Sequence, residues 1–187
     1  MPANHFLVAK TWKIMIADMG VDPANVLRRA GLPIHLFSIP DAKLSPGEYF
    51  RLWHGLEKAA GDVELPLLIG TALSAEAFDP SIFASICSPD LNTALKRLAR
   101  FKRLISPLLL SVEVGRERTD GVLRWHGCQE NVAFCMGMSE LVICTQLGRL
   151  ATRQEIRPVA VHAPLLPENP KPYRDYFGTR VQHGRSW

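Results

Sequence analysis

The chain has 187 residues, with 22 Lys and Arg against 18 Asp and Glu, a formal charge of +4, 47% hydrophobic residues and 21% charged ones. Those proportions exclude disordered, collagen-like and disulfide-dense classes, and the length suffices for one sizeable core. The longest apolar runs, such as residues 108–110, fall far short of the roughly 18 residues a membrane helix requires, and the slight basic excess is only a weak pointer to an anionic partner.

Helix starts are legible in the first half. Asp22-Pro23, Ser45-Pro46, Asp79-Pro80 and Ser88-Pro89 each set a side-chain acceptor before a proline, the pairing a helix N-terminus favours. The pattern predicts a first helix over 6–19, with Lys10 and Lys13 inside it and no secretory cleavage signal. A second follows over 23–30 with Gly31 as its stop, then a loop over 34–43. Ser45 and Glu48 form a capping box, opening a third helix in which Tyr49, Leu52, Trp53, Leu56 and Ala60 recur at helical spacing up to Gly61. A fourth over 65–73 is almost wholly apolar, and a fifth over 81–86 is brief.

The sixth helix is expected from Ser88 to Ile105. Leu91, Ala94, Leu95, Leu98, Phe101 and Ile105 form its inward stripe, and the basic run Lys96, Arg97, Arg100, Lys102 and Arg103 reads as a solvated face rather than a nucleic-acid surface. On that reading Ser88 caps the helix, Leu98 is buried and Arg97 matters little to stability. Alternation over 108–117 and 121–127, with Thr119-Asp120-Gly121 between, predicts a β-hairpin. A long helix is expected over 132–152, a strand over 157–163, a proline-rich loop, a short helix over 173–177 closed by Gly178, and a strand over 179–183. The order predicts an α+β fold: a helical half over 1–106, then a small antiparallel sheet packed on a long helix over 107–187, in one domain.

Chemistry-bearing patterns are few. The sequence holds no Gly-rich phosphate loop, Gly-x-Ser-x-Gly elbow or His-Glu-x-x-His helix, and no spacing selects a Cys-His catalytic pair, so an enzyme is not expected. His126, Cys128, Cys135 and Cys144 have the right ligand types for a metal but irregular spacing. The four cysteines, Cys87 included, read as free thiols in a reducing compartment, and no metal or other cofactor is expected. Trp53, Phe83, Phe101, Trp125, Phe134 and Met138 could line a small-molecule pocket between the two halves, with Arg103 and Arg124 as partners for a carboxylate. Packed core is the competing reading for the aromatic set.

Gly31-Leu32-Pro33, Ile39-Pro40-Asp41-Ala42-Lys43-Leu44 and Tyr49-Phe50-Arg51-Leu52-Trp53 together resemble the N-terminal regulatory, arabinose-binding-type domain of AraC-family transcriptional regulators. The run from Cys87-Ser88-Pro89-Asp90-Leu91 through Ala94-Leu95-Lys96-Arg97 to Phe101 resembles that family's Ser-Pro helix. Glu140, Val159-Ala160-Val161-His162-Ala163-Pro164 and Tyr173-Arg174-Asp175-Tyr176-Phe177-Gly178 resemble its later elements. The specificity lies in order and spacing over residues 14–183, not in one motif. Val63-Glu64-Leu65-Pro66 departs from the more glycine-rich helix start usual in the family.

The resemblance implies a bacterial, cytoplasmic sensor domain normally followed by a helix-turn-helix domain. The chain is therefore expected to be a truncated piece, touching DNA only through the missing part. Its other implied partners are a small-molecule effector, not necessarily arabinose, and a second copy in a homodimer, with no membrane. The alternative is a ligand-free protein–protein interaction domain of the same fold, which a cavity lined by Trp125, Phe134 and Met138 would disfavour.

Overall fold

A computed structural model describes residues 4–8, 11–72, 80–127 and 132–187. Lys10, Leu73, Asp79 and Cys128 lie outside the described residues. In chain order the elements are β1 (Phe6–Leu7), α1 (Thr11–Asp18), α2 (Pro23–Ala30), β2 (Lys43–Leu44), α3 (Pro46–Ala60), α4 (Leu65–Thr71), α5 (Pro80–Ile86), α6 (Leu91–Ile105), β3 (Leu108–Val114), β4 (Thr119–Trp125), α7 (Phe134–Thr152), β5 (Val161–Ala163), α8 (Pro170–Phe177) and β6 (Val181–His183). The fold is α+β. No helix among the described residues is long and apolar enough to cross a membrane.

Local rules set most boundaries. Asp22 accepts from the backbone N–H groups of Ala24 and Asn25, and Gly31 ends α2 in the left-handed region at φ 63°. Ser45 and Glu48 complete the expected capping box at the start of α3. α2 and α3 then pack closely at Gly55, where a Cβ would stand 2.6 Å from the Val26 carbonyl oxygen and 2.7 Å from the Ala30 Cβ. Only glycine leaves that crossing open. The core surrounds α7, whose Cys135, Met136, Met138, Ser139, Glu140, Val142, Ile143 and Leu147 are all buried, with Leu52, Leu56, Leu65 and Leu98 among the residues enclosing it.

Several expectations are corrected. The segment over 6–19 is not one helix: Phe6–Leu7 peel away and pair antiparallel with Lys43–Leu44, because Phe6 gains a buried, edge-on contact with Tyr49 at 5.8 Å. The first half is therefore not purely helical, and a short 3-10 turn, Leu36–Ser38, interrupts the expected loop. The hairpin turns at 115–118, where the Gly115 N–H donates to the Arg118 carbonyl at 2.8 Å, and Thr119-Asp120-Gly121 belongs to β4. Burial decides this register. Leu110 opposes Leu123 and Leu108 opposes Trp125, all buried, and counting outward from those pairs carries the turn past Val114.

The sheet of the second half is also divided. β3 and β4 are antiparallel, whereas β5 and β6 pair in parallel through Val161–Val181, with α8 supplying the crossover.

α6 begins at Leu91 rather than Ser88. Asp90 is its cap, accepting from the Thr93 N–H at 2.8 Å. Ser88 instead closes α5: its Oγ donates to the Ala84 carbonyl and accepts from Arg97 Nη1 at 3.1 Å. Arg97 also donates to the Ala84 carbonyl at 3.1 Å, so it fastens α6 to the last turn of α5 instead of simply being solvated. Lys102 is the second departure from the basic face. It is buried and forms a 2.7 Å ion pair with Glu140 of α7. The inward stripe of α6 runs Ala94, Leu98, Lys102, in steps of four that drift only about 40° each, which brings Lys102 closer to Leu98 around the axis than Phe101 is.

Candidate functional site

A partly open cleft of about 710 Å³ lies where the C-terminal end of α3, the start of α4 and the N-terminus of α7 meet the loop before α8. Its volume is in the range that accommodates a small organic ligand. His54, Glu57 and Ala60 come from α3, Asp62 and Glu64 from the following turn, and Phe134 and Cys135 from α7. Leu165, Leu166 and Glu168 with Tyr173 of α8 complete the wall.

Two glutamates tie these segments together. α7 starts after Ala133, which has no side chain able to cap it, and the acceptor arrives from α3: Glu57 Oε1 receives the Cys135 N–H at 2.7 Å. A carboxylate there also suits the positive end of the helix dipole. On the opposite side the Tyr173 hydroxyl donates to Glu64 Oε2 at 2.6 Å. Burial first, then this bond and the Glu64 charge, hold the Tyr173 phenol above its ordinary range, so it remains a donor. Phe134 packs edge-on against the same Tyr173 ring at 6.0 Å.

Cys135 and His54 both line this space, but the thiol is not an activated nucleophile. Burial pushes its pKa strongly up and the neighbouring Glu57 charge adds to the effect, the reverse of what a reactive thiolate needs. The cleft offers fixed acceptors, a phenolic donor and apolar walls. Those are groups for holding a ligand. Among the described residues no group of three or more His, Cys, Asp and Glu side chains is placed to hold a metal ion.

Of the eight ligand-contact candidates read from the sequence, only Phe134 lines this cleft. Trp53 and Trp125 are buried core residues, stacked edge-on against Trp12 and Phe50 respectively, and Met138 is fully enclosed in α7. Phe101 is half-buried, while Phe83, Arg103 and Arg124 are exposed. The cavity expected from Trp125, Phe134 and Met138 together is therefore not the one observed. Glu57, Glu64 and Tyr173 were missed as site residues, although the uncapped Ala133 and the departure at Val63-Glu64-Leu65-Pro66 both mark this place.

A second polar group lies inside the core. Lys102 Nζ meets Glu140 Oε1, while Glu140 Oε2 has no hydrogen-bond partner among the described residues. Burial and then the Glu140 charge raise the pKa of the nearby Tyr49 phenol, and Cys144, beside the same pair, is pushed up to about 12 by burial.

The family model for the N-terminal arabinose-binding domain of AraC transcription regulators matches residues 20–187. The chain belongs to this family. A search of the curated proteins gave no significant match. Family membership makes the chain a ligand-binding regulatory domain by type, and the match spans every element that builds the cleft, from α3 to α8.

Proposed function

We propose that this domain senses a small-molecule effector in the cleft between α3, α4, α7 and the loop before α8, and that occupancy controls an attached helix-turn-helix domain in a cytoplasmic bacterial regulator. The observation that carries this reading is the cleft itself. In a member of a ligand-binding regulatory family, a ligand-sized space has walls drawn from segments far apart in sequence, held by Glu57 on one side and Glu64 on the other.

The mechanism is linkage. An effector that binds one arrangement of these walls better than another shifts the population towards it by no more than its differential affinity, and through α7 that shift reaches the rest of the core. Homodimer formation and placement of the whole 1–187 span as one sensor domain belong to the same proposal. A thermal-shift screen of the chain against sugars, amino acids, amines and aromatic acids, with calorimetry on each hit, tests it. A ligand at about 100 times its dissociation constant adds about 2.7 kcal/mol of stability. One saturable hit whose amide shifts centre on 132–135 and 165–173 is the expected result. A folded chain that no compound stabilises would move the assignment to a protein–protein interaction domain.

A further inference from the structure

The composition of the cleft carries the reading one step further, to the charge of the effector. Among the described residues its lining includes Glu57, Asp62, Glu64 and Glu168 and no Lys or Arg. The whole chain has the opposite bias, with 22 basic residues to 18 acidic ones, so the lining does not merely sample the surface average. Resting on the assignment of the cleft as the effector site, we propose that the effector is an organic cation, an amine or amidine carried on an apolar or aromatic body.

The two central carboxylates are positioned for this. Glu57 is held by Oε1 on the Cys135 N–H and Glu64 by Oε2 on the Tyr173 hydroxyl, so each is fixed by one oxygen while the other can meet a ligand's N–H groups. Glu57 Oε2 lies 3.9 Å from His54 Nδ1, an ion-pair distance when that imidazole is protonated but longer than a hydrogen bond. Carboxylates restrained in this way bind a fork of N–H donors with little ordering cost.

Independent of charge, the cleft has a built apolar side. Phe134 is set edge-on against Tyr173, and Leu165 and Leu166, adjacent on the rim, are about half exposed. Exposed leucines beside a cleft suit the body of an amphipathic ligand, and an aromatic face is a favourable neighbour for its cationic head. A metal ion is the poorer occupant, because no three ligating side chains among the described residues converge on one point. An anionic effector would meet carboxylates with no Lys or Arg among the described lining residues to compensate them.

The test uses matched probes on the 187-residue chain: benzamidine and tyramine as cations, benzamide and 4-hydroxyphenylethanol as their uncharged counterparts, and benzoate as an anion. The expected result is saturable stabilisation by the cations, binding at least about tenfold tighter than their counterparts, with amide shifts at 132–135 and 165–173. Glu64→Gln keeps an oxygen to accept from Tyr173 but removes one charge, and it should weaken the cations about tenfold while lowering the free protein's melting temperature only slightly. If benzamide or benzoate binds at the same amides as tightly as benzamidine, the charge assignment is overturned and the effector site stands. Shifts elsewhere on the molecule, or no stabilisation by any probe at about 10 mM, would overturn both.

Discussion

Replacing Lys102 by Met tests the account of the core most severely. The Lys102 Nζ–Glu140 Oε1 distance is 2.7 Å, and the two side chains are 8% and 4% exposed. At an effective dielectric of 20 the gross attraction is about 6 kcal/mol, against several kcal/mol of desolvation for each ion, so the pair is close to neutral for stability as a whole. Removing one partner is a different matter. Lys102→Met leaves the Glu140 carboxylate enclosed, with Oε2 already lacking a partner among the described residues, and should destabilise by about 3–5 kcal/mol. Lys102→Met combined with Glu140→Leu removes both charges while roughly conserving volume, and should recover most or all of that loss. Urea unfolding followed by tryptophan fluorescence, with unchanged m-values across the set, measures each step. A loss below about 1 kcal/mol for Lys102→Met, or a double variant as unstable as the sum of the singles, would show that water reaches the pair and would refute its burial.

Three further outcomes follow from local geometry. Gly55→Ala should cost at least about 1–3 kcal/mol in urea unfolding, because its methyl would press on the Val26 carbonyl and α2 would have to move; a neutral result would place the helix crossing further apart. Asp90→Ala should speed amide exchange at Thr93 by fraying the first turn of α6, whereas Ser88→Ala should not, since Ser88 bonds the end of α5; equal effects would return the cap to Ser88. Glu48 is held below the ordinary carboxylate range, first by the Ser45 backbone N–H and then by its hydroxyl. The folded state therefore binds its proton less readily than the unfolded state, so the stabilisation is present above about pH 4.5 and lost as pH falls through the lowered folded value. Glu48→Gln should flatten that part of the stability–pH curve, and an unchanged acid limb would contradict it.

What the sequence disclosed and what it concealed divide along the range of the interactions. Asp22, Gly31, Ser45 and Glu48 act within four residues, and the boundaries they set for α2 and α3 agree with those read from the pattern. The α+β class was equally legible, because the change from helical to alternating spacing after residue 106 is a property of consecutive residues. The errors arise where distant segments compete. Ser88 and Asp90 are both acceptable caps within α6's approach, and only the position of α5, with Arg97 reaching across to Ala84, assigns them different tasks. Lys102 lay on the stripe all along, but a lone lysine is placed inward only when Glu140, 38 residues later, is waiting. The cleft was the least legible feature for the same reason: Glu57 meets Cys135 across 78 residues and Glu64 meets Tyr173 across 109. An aromatic-rich pattern selects core positions such as Trp53 and Trp125 as readily as it selects a binding surface.

Glu57 combines the two tasks in one side chain, and its substitutions can pull them apart. As a strut it supplies the acceptor that the start of α7 lacks. Glu57→Ala leaves the Cys135 N–H without that partner beside a buried thiol, at a cost of about 1–3 kcal/mol. Glu57→Gln retains an amide oxygen on the same stem, so the bond can persist with a smaller loss, since a neutral acceptor serves the helix dipole less well than a charged one. The cleft loses one negative charge in both. If Glu57 acts only as a strut, cation binding should fall with stability, severely in the alanine variant and slightly in the glutamine one. If it also contacts the effector, Glu57→Gln should lose about tenfold in cation affinity while its urea midpoint stays near that of the parent chain. Calorimetry with benzamidine and urea unfolding on the same two proteins decide the matter. A glutamine variant that binds benzamidine as tightly as the parent would confine Glu57 to capping and leave Glu64, Asp62 and Glu168 as the charges that select the ligand.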